Sequence, residues 1–365
     1  MEMNRMKKTI AFAMAAIMLL LCGCGAVNSD NGSGDVTEAT SDTTAKSSNT
    51  PRHKVIIDTD TGSDDAAALV LAALSKNIDI LGITVLYGNV SLDKAAENAL
   101  MTLEVCHVEA PVYIGADKPL KKERKEMVSV HGKDGMGDQD LIHPKRTAEK
   151  GDAVDFILDT IKSDPDEVEI IALGPLTNIA LAVQKDPDTM KRCKRIWSMG
   201  TTGFGVGNAT PVAEFNVYND AEAYDQVLRT GIPMTIMGLD IMGNEETKFN
   251  KEELSKMAQG NEKGVFLSKA FTKLFAFNQK SGNNMMLPDP MAVACLVWPD
   301  MLQETKACYG ETCIENNATY GQVILYQEGA VYEAMPQIGS YNLDVVTKID
   351  TKLFKDSFMS VLTKK

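Results

Sequence analysis

The chain has 365 residues, 44% of them hydrophobic, and a formal net charge of −13. That is core enough for one large α/β domain or two smaller ones. It argues against a nucleic-acid binder, which would carry a basic face; an acidic surface otherwise mainly promotes solubility.

The first residues read as an export signal rather than as fold. Arg5, Lys7 and Lys8 precede an apolar stretch from Ile10 to Leu21, the pattern of a secretory signal and short for a transmembrane span. It closes with Leu21-Cys22-Gly23-Cys24-Gly25, which resembles a bacterial lipobox. Such a signal, residues 1–23, is cut before the cysteine. Cys24 then carries lipid and anchors the protein to the outer face of the cell membrane. An ordinary cleaved signal with incidental cysteines is the alternative. Residues 24–53 are rich in Ser, Thr, Asp, Asn and Gly; such a segment cannot bury enough surface to order itself and reads as a tether.

From residue 54 to 365 no linker or repeat is evident, so one domain is expected. Short β-branched runs at Val55–Ile57, Ile80–Val85, Val168–Leu173, Ile196–Met199 and Met234–Leu239 predict buried strands. Helical patterns over 66–75, 92–105, 151–163, 176–185 and 220–230 separate them. Residues 250–284 read as mostly helical, and 322–326 and 343–349 as late strands near an edge. The alternation predicts an α/β fold with an open, mostly parallel central sheet flanked by helices. Functional groups then collect where strands end. Five cysteines lie in this domain. Their odd number and irregular spacing make no disulfide framework, although Cys308 and Cys313 could pair in an exported protein. No spacing suggests zinc.

The densest chemistry is at the first strand end, where Asp58, Asp60, Asp64 and Asp65 fall within eight residues. Carboxylates this close repel one another, and a hard divalent cation with oxygen ligands is the simplest offset. Helix capping accounts for Asp64 and Asp65 alone. Later strand ends carry Gly88-Asn89-Val90-Ser91, where Asn89 could merely cap a turn, and Leu173-Gly174-Pro175-Leu176-Thr177-Asn178. Further on come Met199-Gly200, Asn208 and Glu214-Phe215-Asn216. A carboxylate, an amide and an aromatic face suit a sugar with several hydroxyls. The glycines at 203, 205 and 207 form no dinucleotide fingerprint. Asp289, in Leu287-Pro288-Asp289-Pro290, could be an N-cap.

Together these motifs resemble the inosine–uridine-preferring nucleoside hydrolase family. The matching stretches are Asp-Thr-Asp-x-Gly-x-Asp-Asp at 58–65, Gly-Asn-Val-Ser at 88–91 and His-Gly-x-Asp-Gly-x-Gly at 131–137. Gly-Pro-Leu-Thr-Asn-Ile-Ala at 174–180 and the Met-Gly to Glu-Phe-Asn stretch at 199–216 follow in order. The resemblance implies one calcium ion held by Asp60, Asp65, Asp289 and the Leu173 carbonyl. It makes Asp60 the base toward water, and it gives Asp64, Asn89 and Asn216 to the ribose. Met199, Asn208 and Glu214 surround the 5′ end, Phe215 is a further substrate-binding candidate, and Asp58 supports the cluster from behind. Dimers and tetramers are usual in the family. The implied reaction is calcium-dependent hydrolysis of ribonucleosides to ribose and free base. Many members have histidine where this chain has Pro288, so the acid that protonates the departing base is in doubt. His131 is the remaining candidate, or else it only orders its loop. Residues 266–286, including Phe275, Phe277 and Asn278, are expected on the base side, and the base itself is not specified. The alternatives are hydrolysis of another N-ribosyl compound and a tethered nucleoside- or ribose-binding lipoprotein without turnover.

Overall fold

A computed structural model of the protein describes residues 52–334 and 339–364. The expected signal, Cys24 and most of the expected tether lie outside the described residues. His53, at the tether's end, already opens the first strand. No described helix is long and apolar enough to cross a membrane.

The strands, in chain order, are β1 His53–Thr59, β2 Ile78–Val85, β3 Val112–Ile114, β4 Val168–Ala172, β5 Arg195–Met199, β6 Met234–Met237, β7 Leu302–Thr312, β8 Val323–Gln327 and β9 Leu343–Ile349. They form one nine-stranded sheet ordered β3-β2-β1-β4-β5-β6-β9-β7-β8. Pairing is parallel from β3 across to β9, and β7 and β8 add antiparallel. The α/β expectation holds. Two strands escaped the sequence reading. β3 is three residues long, and β7 mixes Glu304, Lys306 and Glu311 into a solvent-facing pattern. Of the expected late strands, β8 is at the edge, while β9 lies inside the sheet between β6 and β7.

Both faces of the sheet are covered, which explains the unbroken apolar runs. Alternate residues of β1 serve opposite cores: Val55 and Ile57 join one cluster, Ile56 the other. The helices Ser63–Leu74, Pro288–Val297 and Thr351–Thr363 contribute to the first core. Ala153–Ser163, Thr177–Lys185 and Ala221–Leu228 contribute to the second. The helix after β1 is buried from Ser63 through Ala72, as its nearly all-apolar sequence requires. Strand order reverses at β1, whose chain continues to β2 on one side while β4 pairs on the other. Such a switch point opens a crevice at the carboxyl ends of the strands.

The absence of a disulfide framework holds among the described residues, and the possible pairing of Cys308 with Cys313 is corrected. Cys106, Cys193, Cys295, Cys308 and Cys313 are all free thiols. Cys308 lies within the extended β7, which runs to Thr312, and Cys313 follows directly. At roughly 3.3 Å per strand residue the two are far beyond disulfide reach.

Candidate active site

Strand register builds the site. Asp58 on β1 pairs with Thr84 on β2 and with Ala172 on β4, so three strand ends are level and their loops converge on Asp60. The glycines of those loops are a packing necessity. A Cβ on Gly88 would lie 1.9 Å from Asp60 Oδ2, and one on Gly174 would lie 2.9 Å from Asp60 Oδ1. Two backbones therefore press against one carboxylate from both sides. The Asn89 N–H donates to Asp60 Oδ2 at 2.6 Å, while Asp60 Oδ1 is buried without a hydrogen-bond partner.

The other aspartates divide by what they touch. Asp58 accepts from Thr84 Oγ1 at 2.5 Å and from Asn178 Nδ2 at 2.8 Å, a brace beneath the cluster. Asp65 accepts from the Gly62 N–H at 2.8 Å, so the capping account is right for it in part. It also accepts from Thr59 Oγ1 at 2.7 Å and Asn89 Nδ2 at 2.9 Å. Asn89 thus bridges two aspartates rather than merely capping a turn. Asp64 leaves Oδ1 buried and unpartnered. Asp289 is the second residue of its helix, whose N-cap is Leu287, so capping does not explain it.

Oxygens of Asp64, Asp65 and Asp289 lie within 4.8 Å of one another, all three residues buried. This trio includes Asp64, which the resemblance gives to the sugar, and leaves Asp60 beside it. Burial pushes Asp58, Asp64 and Asp65 up to about 6, with the charge of Asp64 adding to the shift of Asp65. Burial, then neighbouring carboxylates, raise Asp60 and Asp289 well above the usual carboxylate range. Buried carboxylate oxygens without donors, in an all-oxygen set, fit a hard cation.

Above this floor is a pocket. Asp64, Asn89, His131, Leu173, Met199 and Asp289 line it, joined by Asn208, Glu214, Phe215 and Asn216. Every residue expected on the ribose and 5′ side is therefore brought to one cavity. Asp60 and Asp65 are fully buried beside it. Glu214 caps the helix Phe215–Asn219, its two oxygens accepting the N–H groups of Asn216 at 2.9 Å and Val217 at 3.1 Å. Burial pushes its carboxyl up to about 7. Asn216 Nδ2 donates to the Leu173 carbonyl at 2.8 Å, so that carbonyl does face the pocket. His131 is buried, its Nδ1 3.0 Å from Ser63 Oγ and 3.6 Å from Asp64, and burial lowers it to about 4.

The remaining wall is Met127, Val130, Leu274, Phe277, Asn278, Met286 and Pro288. Phe277 and Asn278 stand where expected, but Phe275 turns away and packs against the core. Sequence reasoning missed Met127 and Val130, which carry no motif, while Leu274 and Met286 fall within the expected 266–286 stretch without being singled out. It also missed Asn98, whose Nδ2 donates at 2.9 Å to both the Thr61 and Asp134 carbonyls. Asn98 thereby ties the aspartate turn to the glycine loop after His131. A polar residue on the buried face of the 92–105 helical pattern was its only signal.

Comparison with known proteins identifies the family. A profile described as inosine-uridine preferring nucleoside hydrolase matches residues 55–356. Uridine nucleosidase 1 of Arabidopsis thaliana is 35% identical over 279 residues, 72% of this chain and 82% of its own length. The pyrimidine-specific ribonucleoside hydrolase RihB of Escherichia coli is 32% identical over 284 residues, 77% of this chain and 89% of its own. The solved structure of a purine-preferring ribonucleoside hydrolase from Gardnerella vaginalis matches with a TM-score of 0.77 at 28% identity. That match covers 85% of this chain and 98% of the other. The chain belongs to the inosine–uridine preferring nucleoside hydrolase family and is a hydrolase of N-glycosyl bonds.

Proposed function

We propose that the protein is a calcium-dependent ribonucleoside hydrolase that releases ribose and free base. The observation that carries this reading is the buried Asp64, Asp65 and Asp289 trio at the floor of a pocket walled by Asn89, Asn208, Glu214 and Asn216. Asp60, Asp65, Asp289 and the Leu173 carbonyl would hold the calcium ion, with Asp64 close enough to share it. When bound, the ion supplies a Lewis acid that orients the ribose diol and makes water more acidic. Asp60 accepts the proton of the attacking water through the oxygen that has no other partner. Asp64 and Asn216 hold ribose hydroxyls, with Asn89 beside the 2′-hydroxyl. Met199, Asn208, Glu214 and Phe215 enclose the 5′ end. The carboxylates stabilise positive charge developing on the ribosyl ring, and fixed hydroxyls keep the reacting carbon beside the water.

The test is a reducing-sugar assay on uridine, cytidine, inosine and guanosine, because relatives named for pyrimidine and for purine preference both match. Turnover should vanish with a chelator and return with calcium. Calcium-dependent ribose binding without turnover would identify a binding lipoprotein instead. We also propose that lipid on Cys24 holds the enzyme on the outer face of the cell membrane. Labelled fatty acid should enter the wild type and not Cys24→Ala; equal labelling would end that assignment.

A further inference from the structure

The wall opposite the carboxylates has the wrong chemistry for protonating a departing base. Met127, Leu274, Phe277, Met286 and Pro288 offer no acidic proton, and Asn278 offers an amide whose Nδ2 already donates to the Leu274 carbonyl at 2.9 Å. Among the described residues lining this pocket, the titratable ones are Asp64, His131, Glu214 and Asp289. Asp64 and Asp289 belong to the floor, Glu214 caps a helix, and His131 is held through Nδ1. His131 Nδ1 faces Ser63 and Asp64, and both Glu214 oxygens accept backbone N–H groups.

The same pocket is strongly anionic. Asp64, Glu214 and Asp289 line it, Asp60 and Asp65 are buried beside it, and no Lys or Arg is among the described lining residues. With a divalent cation seated there, the pocket still holds carboxyl groups and no cationic Lys or Arg among its described lining residues. Such a field concentrates cationic ligands. Thioether and phenyl groups, here Met127, Met286 and Phe277, suit the face of a flat aromatic ring, and the Phe277 ring also attracts a cation.

We infer that the preferred substrate is a riboside whose ring nitrogen at the glycosidic bond carries a fixed positive charge, an N-ribosyl pyridinium or similar quaternary aromatic. This rests on the site's acting as an N-ribosyl hydrolase. The chemistry balances without an acid. The C1′–N bond breaks with its electron pair moving to nitrogen, which cancels the ring's charge. Water oxygen bonds to C1′, and one water proton passes to Asp60 and on to solvent. The neutral ring leaves without taking up a proton. A neutral nucleoside lacks this route: its base must take up a proton as it leaves, help worth about 10²–10⁴-fold that the apolar wall does not supply.

The test compares kcat/KM of the full-length, calcium-loaded enzyme on 3-carbamoylpyridinium riboside with kcat/KM on uridine, cytidine and inosine. The expected ratio is about 100-fold or more in favour of the cation, and any ratio above about tenfold supports the inference. A ratio of about tenfold or less for any neutral nucleoside overturns it and leaves the hydrolase reading intact. Ribose release from none of the four overturns both.

Discussion

Asp60 is the residue on which most of the site converges. Its carboxylate is pressed between Gly88 and Gly174, held by one backbone N–H, and left with one free oxygen. Asp60→Asn keeps the shape and removes the proposed base. Turnover should fall by about 10²-fold or more, while the dissociation constant for a ribonucleoside, measured by calorimetry, changes much less. Equal turnover in the mutant would remove the role assigned to Asp60. Gly88→Ala asks whether placement matters as much as identity. Its added Cβ would meet Asp60 at an impossible distance, and the obstacle is the carboxylate itself. Activity should drop by at least about tenfold, the scale of a misplaced reacting group, with an unchanged circular dichroism spectrum. Near-wild-type kcat would mean that Asp60 has room to shift.

Between the elements, the cluster is held by side chains that do not line the pocket. Asn98, on the helix Leu92–Cys106, ties the turn at Thr61 to the loop at Asp134. Asn98→Ala leaves two carbonyls short of a donor, at a cost of about 1–3 kcal/mol. Chemical denaturation should show that loss, and KM for a ribonucleoside should rise because both Asp64 and His131 sit on the loosened segments. Unchanged stability and KM together would show that water replaces the amide without consequence. The expected strands at 55–57 and 80–85 were legible because a parallel strand buried on both faces is written almost wholly in Val, Ile and Leu. β7 was not, because one face of an edge ribbon is solvated and its Glu and Lys residues look like loop.

For the whole molecule, burying so many carboxylates makes stability depend on pH and metal together. In chelated protein, burial raises Asp58, Asp64 and Asp65 to about 6 and Glu214 to about 7, with Asp60 and Asp289 raised as well. A raised folded-state value means that the native state holds protons the unfolded chain has already released. The stability they contribute is full below the unfolded value and is lost as pH rises through the folded one. His131, lowered to about 4, acts in the opposite sense, one group against six. Glu169 and Asp186, each lowered to about 2, change below this window. In chelator, therefore, Tm should be higher near pH 5 than near pH 8, about one unit below and above these values. Calcium should raise Tm more at the higher pH, where it meets no competing protons. A Tm in chelator that climbs from the lower to the higher pH would show that the carboxylates are not protonated as their burial requires.

The sequence by itself determined the alternation of buried strands and helices, and with it the open parallel sheet, since apolar runs and their spacing are local properties. It also determined where carboxylates crowd: between residues 58 and 65 they need a charge partner wherever they fold. Only the tertiary structure decided how they divide. Register between β1, β2 and β4 sets Gly88 and Gly174 against Asp60. Packing of the helix Pro288–Val297 against the helix Ser63–Leu74 brings Asp289, more than 200 residues away in the chain, to Asp64 and Asp65. The thioethers of Met127 and Met286 were not singled out for the same reason. A thioether has no chemical signature of its own, and its role comes from what the fold places opposite it.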